Sequence, residues 1–350
     1  MEKSRVSFQG LAIDLPVRLQ HIKSLEIKQS LDNHGIAHIT GVLKGENQDS
    51  IHKLNQKTNV KIKVTTETGE ETIFSGIPVK VMIKHMYGVY YMEITLKSHS
   101  LCLDVQKKNR SFQNRNNPWS SLFKTILREY GGEVFDSASQ EAVQNCALIQ
   151  YEETDWEFLK RAASRIGAKL FPEVRADGPW IYMGIPEGKQ YDETTVDHCL
   201  KKSLEEYLIL NNNHENRTEQ EVLSGWLESR ADYQLGDKIA YQKEFFTVAW
   251  KITEMKEGVL SRRYKLQIKS GLNRDGQYNL NLKGVSIEGK VLAVEKDKLK
   301  LHLSIDPDQN QAEARVQAAD RPAFCAPENI LYLKMDRQAG IEITSPPPEE

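Results

Sequence analysis

The chain has 350 residues, 39% hydrophobic and 27% charged, with 47 Lys and Arg against 49 Asp and Glu. That near-balance lacks the basic excess of a protein that lives on nucleic acid, and no apolar run approaches the ~20 residues a membrane-spanning helix needs. The opening MEKSRVSFQG is too polar for a secretory signal peptide. Cys102, Cys146, Cys199 and Cys325 show no C-x-x-C spacing, so the expectation is no disulfide framework and synthesis in a reducing cytoplasm.

Residues 1 to about 100 read almost entirely as strands. Leu25 and Ile27 alternate with polar neighbours, as do Ala37 and Ile39, and Val60, Ile62 and Val64, giving one buried and one wet face. Val79 to Met86 and Val89 to Leu96 form the clearest hairpin, with Tyr87-Gly88 as a two-residue turn. Many short strands at this pitch predict a small antiparallel barrel. The polar run Gln106 to Asn117 then crosses to a helix from Trp119 to Tyr130, with Trp119, Leu122, Phe123, Ile126 and Leu127 on one face and Gly131-Gly132 to stop it.

A second helix follows a short strand at Cys146 to Gln150. Thr154 is its N-cap and Glu157 completes a capping box. Trp156, Leu159, Ala163 and Ile166 form its apolar stripe, with Lys160, Arg161, Ser164 and Arg165 on the wet side. Gly167 suits a left-handed C-cap, and Ala168 to Phe171 leaves as an apolar strand. Trp180 to Ile185 adds another strand, and Ser203 to Leu210 a third short helix that stops at Asn211-Asn212-Asn213.

Strands resume at Glu219 to Leu227, Asp237 to Tyr241, Phe245 to Met255 and Val259 to Ser270. This region repeats the order of the first: short strand, long strand, tight Gly-containing turn, long strand. Val79–Leu96 aligns with Phe245–Ile268 at an offset of about 170 residues. From Gly284, two strands flank Lys296-Asp297, as at the start of an oligonucleotide- or oligosaccharide-binding (OB) barrel. Gln309 to Asp320 carries no strand pattern, Ile330 to Leu333 and Ile341 to Thr344 are short strands, and Pro346 to Glu350 is an unstructured tail.

The fold class expected is therefore mainly β (α+β): two similar antiparallel β-barrels joined by a helix-containing insertion, followed by a partial OB-like barrel. The boundaries are 1–105 for the first barrel, 106–190 for the insertion, 191–280 for the second barrel with its short helix, and 281–350 for the partial OB-like domain and the start of a spike.

No reaction centre emerges. Glu152, Glu153 and Asp155 can be read as an acid/base cluster, but carboxylates ahead of a helix are favoured by its dipole alone. His198-Cys199 lacks the paired spacing of a zinc site. His52, His85, His99 and His302 are scattered. Ser224-Gly225-Trp226 lacks the flanking glycine of a nucleophile elbow and reads as a strand bulge. Lys53, Lys57, Lys61 and Lys63 read as a solvated barrel face, and Trp119, Phe123, Trp156 and Phe158 as core. No catalytic, cofactor-binding or metal residue is assigned.

The stretch Tyr151 to Phe171 carries a resemblance. An acidic Tyr-x-Glu-Thr-Asp run, then Trp156, Phe158, Leu159 and Arg161, then Gly167 into a strand ending at Phe171, resembles the signature of the VgrG and phage late-control-D family. Further matching pieces, among them Arg110-Ser111-Phe112-Gln113, Leu235-Gly236-Asp237 and Gly289-Lys290-Val291, extend the likeness over most of residues 20 to 305. The residues taken as its structural signature are Tyr151, Thr154, Asp155, Trp156, Phe158, Leu159, Arg161, Gly167 and Phe171.

The resemblance implies a non-enzymatic hub and spike-base protein of a contractile injection system: a phage tail, a tail-like bacteriocin or a type VI secretion machine. The implied partners are two further copies in a homotrimer, a hexameric tail tube protein, a PAAR-like spike tip and baseplate proteins, with no cofactor. The implied location is a tail or baseplate, released or translocated on contraction. About 65 residues follow Gly284, too few for a complete barrel and a long needle, which departs from the family pattern. The alternative weighed is a cell-wall or glycan hydrolase, which needs two carboxylates held across a cleft.

Overall fold

The computed structural model describes residues 10–44, 48–67, 69–192, 198–213, 218–241, 244–256, 258–273, 276–295, 298–306, 316–317, 332–336 and 340–344. In chain order the elements are β1 (Leu11–Asp14), β2 (Leu19–Ser30), β3 (Ile36–Leu43), β4 (Val60–Thr66), β5 (Gly69–Met86), β6 (Val89–Ser98), β7 (Lys107–Phe112), α1 (Trp119–Arg128), β8 (Glu133–Asp136) and β9 (Leu148–Thr154). They continue with α2 (Asp155–Ser164), β10 (Leu170–Pro172), β11 (Trp180–Met183), β12 (Gln190–Asp192), β13 (His198–Lys202), α3 (Leu204–Asn213), β14 (Leu223–Ser229), β15 (Lys238–Tyr241), β16 (Glu244–Lys256) and β17 (Val259–Ile268). The last are β18 (Ser286–Glu295), β19 (Lys298–Leu303), β20 (Val316–Gln317), β21 (Tyr332–Asp336) and β22 (Gly340–Thr344).

The protein is mainly β with barrel-like domains. It divides into two units, one of Met1–Cys102, Tyr130–Ala138 and Gly167–Arg274, the other of Leu103–Glu129, Ser139–Ile166 and Asp275–Glu350. The helix-containing insertion is shared between them.

The first unit holds a 12-stranded sheet built from one strand order used twice. In the first half it runs β1-β4-β5-β6-β3-β2, and in the second β12-β15-β16-β17-β14-β13. Every strand of the first set has its counterpart in the second at the same place. The repeat extends to register. Met86 pairs with Val89 at the first hairpin and Lys256 with Val259 at the second. Each long hairpin also has a bulge at the same place, between Pro78 and Lys80 in β5 and between Val248 and Trp250 in β16. Val79–Leu96 thus corresponds to Ala249–Leu266, at an offset of 170, which places the start of the second segment four residues later than the sequence pattern does. One pairing differs, since β1 meets β4 antiparallel whereas β12 meets β15 parallel.

Alternation sets the core of each half. Leu25, Ile27, Ala37, Ile39, Val60, Ile62, Phe74, Ile94 and Leu96 close the first. Leu227, Tyr233, Ile239, Phe246, Val248, Tyr264 and Leu266 close the second. The tight turn Tyr87-Gly88 has φ of 53° and 76°, the doubly left-handed geometry that matches hairpin twist. The two halves are joined edge to edge. Strand β2 pairs with β16 over Glu26–Ser30 and Glu254–Trp250, so one ladder runs through both.

In the second unit, α1 buries Trp119, Leu122, Phe123, Ile126 and Leu127, as its sequence spacing predicts. Its capping residue Pro118 fits a helix start because proline lacks the donor that position would leave unused. Strand β7 pairs with β9, a strand the sequence pattern passed over as a polar crossing. A five-stranded antiparallel sheet follows in the order β20-β19-β18-β22-β21. Ser111 on β7 donates its backbone N–H and its hydroxyl to Asp306, just past β19, at 2.5 and 2.6 Å. The Lys296-Asp297 turn, the run Gln309 to Asp320 except Val316–Gln317, and the tail Pro346 to Glu350 lie outside the described residues. Cys102 and Cys199 are not in a disulfide, but Cys146 is disulfide-bonded, which the expectation of no disulfide framework did not include.

Candidate functional site

Helix α2 begins as its sequence specifies. Thr154 Oγ1 accepts the Glu157 N–H at 3.2 Å and the Glu157 carboxylate accepts the Thr154 N–H at 2.9 Å. Around this cap the three carboxylates have separate tasks. Asp155, with no exposed side-chain surface, takes Arg110 at 2.5 Å, Lys108 at 2.8 Å and the Gln150 amide at 2.8 Å. Glu129 closes the ring with Lys108 at 2.7 Å and Arg110 at 2.5 Å. Glu153 pairs with Arg161, whose Nη2 also donates to the Ile149 carbonyl at 2.7 Å. Burial pushes the Glu153 carboxyl up, against the Arg161 guanidinium. Glu152 faces outward and exchanges hydrogen bonds with the Asn109 side chain at 2.7 and 3.2 Å. These carboxylates serve as counter-ions and caps.

The signature residues resolve into packing and ion pairing. Trp156, Phe158 and Leu159 are buried, and Phe158 stacks on Phe112 at 5.1 Å. The Tyr151 carbonyl accepts from Asn279 at 2.7 Å. Arg161 and Ser164, expected on the wet side, are buried instead. Each has partners that make burial tolerable, Glu153 for Arg161, and the Arg161 carbonyl and the Gln277 N–H for the Ser164 hydroxyl. Tyr151 through Arg161 belong to the second unit, whereas Gly167 (φ +67°) and buried Phe171 belong to the first. Lys108 and Glu129 escaped sequence reasoning, and Arg110 entered it only as part of the family likeness. The available signal was Lys108 and Arg110 at alternate positions of KKNR, two like charges on one face of a strand.

The first unit holds one polar cluster with the residue types of a hydrolase, and its wiring argues otherwise. The Ser75 hydroxyl donates to Asp177 at 2.8 Å, and His99 Nε2 lies 3.1 Å from Asn59 Oδ1 and 3.4 Å from Ser75 Oγ. In a nucleophilic triad the acid orients the histidine; here it binds the serine, which is fully buried. Burial pushes the His99 imidazole down, against the nearby Asp177. Lys61 (2.5 Å), with Ser75 and Asn59, holds the Asp177 carboxyl at about 2. A depressed carboxylate contributes stability that is present above its ordinary value near 4 and lost as pH falls through its folded one. The gap in Tm between the protein and its Asp177→Asn variant is therefore expected to hold steady above pH 5 and to close between pH 4 and 2 in a thermal-melt series.

A second ionic cluster ties β16 and β17 to the segment after β14. Buried Lys251 meets Asp232 at 2.6 Å, and Arg262 lies 2.9 Å from the same oxygen while donating to the Arg230 carbonyl. Burial pushes the Asp232 carboxyl up, but Lys251 and Arg262 outweigh it and hold it below the usual range.

The remaining candidates stay apart. His198 packs on the Tyr241 ring, His85 stacks on Tyr90, and Lys61 and Lys63 are paired to Asp177 and Asp14. Ser224-Gly225-Trp226 runs in unbroken register between β13 and β17, a plain strand rather than the expected bulge. Among the described residues no three His, Cys, Asp or Glu side chains converge as a metal site.

Unused hydrogen-bonding edge is present instead. All five residues of β13 are exposed, and the strand pairs only with β14 among the described residues. Strand β5 leaves β4 at Gly76 and continues to Met86 with only β6 beside it among the described residues. Helix α3, which runs on through Asn213, exposes Leu204, Leu208 and Ile209.

Comparison with known structures places this architecture. An E. coli protein, c3393, described as a component of the type VI secretion system with structural similarity to bacteriophage T4 tail proteins gp27 and gp5, superposes with a TM-score of 0.61 at 12% identity, over 88% of this chain and 92% of its own. The 43 kDa tail protein of prophage MuSo2 from Shewanella oneidensis gives 0.56 at 10% identity, over 77% and 99%. A Francisella PdpA-VgrG complex gives 0.55 at 10% identity, over 98% and 75%. The fold is that of tail proteins. No curated protein matches the chain. A family model described as the Alg8 N-terminal domain matches residues 4–176. That is under half of the chain, and it ends before the second copy of the strand order begins, so it does not describe this architecture.

Proposed function

We propose that the chain is a structural hub and spike-base subunit of a contractile injection system, of the VgrG and late-control-D type. The observation that carries this reading is the duplicated strand order, with its two long hairpins bulged at equivalent positions. Two equivalent modules per chain give a homotrimer six quasi-equivalent positions, so a three-fold object can dock on a six-fold one. The likeness to tail and secretion-system proteins supports the same reading. In it, residues 1–105 and 191–280 are the two tube-like domains and 106–190 the insertion between them. Residues 281–350 are a partial OB-like domain leading to the spike.

One face of the ring would seat a hexameric tail tube, and the C-terminal sheet would carry the spike and its PAAR-like tip, with baseplate proteins around it. The role is force transmission by a rigid adaptor made in the bacterial cytoplasm and assembled into a tail particle. It is not catalysis, since Glu152, Glu153 and Asp155 are each committed to separate partners. Light scattering across a dilution series tests the reading. A mass near three times 40.0 kDa, constant on dilution, is the expected result, and a monomer throughout overturns it.

A further inference from the structure

One joint between the two modules is formed inside the chain. Within the chain, β2 lies on the outer edge of β16, facing Trp250 through Glu254. The counterpart of β2 is β13, and that of β16 is β5. Among the described residues, both counterparts leave unpaired the edge that is covered in the other pair.

We infer that β13 of one copy adds to the outer edge of β5 in a second copy, antiparallel and in the register of the β2–β16 joint. This rests on the proposed trimer and names its contact. The register follows residue by residue. Ladder Ile27–Ala37–Leu96 corresponds to Leu200–Gly225–Leu266, and Glu26–His38–Thr95 to Cys199–Trp226–Lys265. Leu200 therefore occupies the place of Ile27, and Cys199 that of Glu26. On the other strand, Thr253 and Glu254 correspond to Ile83 and Lys84. Across the joint Leu200 then faces Ile83, Cys199 faces Lys84, Lys201 faces Met82, Lys202 faces Val81 and Ser203 faces Lys80.

Exposure and charge agree with that assignment. Ile27, covered inside the chain, is 1% exposed, whereas Leu200 in the same position is 40% exposed. Lys251, Ile252 and Thr253 are buried, whereas their counterparts Val81, Met82 and Ile83 are half-buried. In the inferred register no two lysines face each other. A slip of one residue in one direction sets Lys80 against Lys202. A slip in the other replaces the apolar pair with Ile83 against Lys201. Like charges directly opposite are unfavourable on a sheet, and lysines on free edges deter indiscriminate pairing, so the pattern selects one register. The contact is head-to-tail, so it makes either a closed ring or an open filament, and two modules per chain with one internal joint each suit a ring.

Directly opposed cysteines on neighbouring antiparallel strands lie within disulfide range, and Cys199 is a free, exposed thiol. The test is the full chain with Lys84→Cys, oxidised with copper phenanthroline and run without reductant. The expected result is a ladder of dimer and trimer that disappears with Lys84→Cys/Cys199→Ser. His85→Cys and Met82→Cys, one and two residues out of register, are expected to give none. Leu200→Asp, on a side chain exposed in the single chain, is expected to reduce the scattering mass to 40.0 kDa with an unchanged circular dichroism spectrum. A trimeric mass with no Lys84→Cys cross-link, or with Leu200→Asp still trimeric, overturns this contact and leaves the trimer standing. A monomeric mass for the unaltered chain overturns both, and cross-linked species running beyond trimer overturn the ring.

Discussion

Replacing Asp155 by Asn is expected to destabilise the second unit by about 3 kcal/mol, at the lower end of the cost of stripping one partner from a buried ion cluster. The change keeps the side chain's shape and removes the charge that Lys108 and Arg110 share. Both cations lie largely covered, with 21% and 15% of their side chains exposed, so water replaces little of what they lose. Glu129 keeps a contact to each, which is why the lower end applies. Urea unfolding followed by Trp fluorescence reads the effect, since Trp119 and Trp156 are both buried in that unit. Glu129→Gln is the control. With 39% of its side chain exposed, Glu129 is expected to contribute under about 1 kcal/mol. Equal losses from the two variants would show that Asp155 is no more central than a surface ion pair.

In the first unit, Asp232→Asn is expected to cost about 3 kcal/mol, whereas Lys251→Met, four bonds of charged side chain exchanged for a similar apolar volume, is expected to be near neutral. The asymmetry follows from what each change leaves behind. Without Asp232, Lys251 and Arg262 face each other with 4% and 6% of their side chains exposed. Without Lys251, Asp232 still has Arg262 and the Gln234 amide at 3.0 Å. Asp232 itself is 31% exposed, which moderates the cost of losing it. Thermal melts of both variants check this, and a larger loss from Lys251→Met than from Asp232→Asn would reverse the assignment of the key charge.

What the sequence made legible depended on local devices. The Val79–Leu96 hairpin was readable because a left-handed Tyr-Gly turn sits between two alternating runs, and helix α2 because Thr154 and Glu157 form a box three residues apart. Strands β7 (KKNRSF) and β13 (HCLKK) were not readable. The first is polar because its side chains feed an ion cluster built by α1 and α2, and the second because all five of its residues are exposed. Arg161 was misplaced for a related reason, since helical periodicity reports polarity and a guanidinium with a dedicated carboxylate and carbonyl can sit inside. The offset of 170 residues was visible as rhythm. The joining of both modules into one ladder through β2 and β16 was not, because a pairing between distant strands has no local mark.

That joint also orders events during synthesis. Strand β2 emerges about 220 residues before Trp250, its neighbour in β16, and pairings of such separation form late because the intervening chain must first be closed into a loop. Until the ribosome has delivered β16, the nascent chain carries an open strand edge of the kind that captures other chains. A fragment ending before β16 keeps that edge permanently. Its aggregation, set against that of chains extended through β17, would measure how far the second copy of the fold protects the first by covering it.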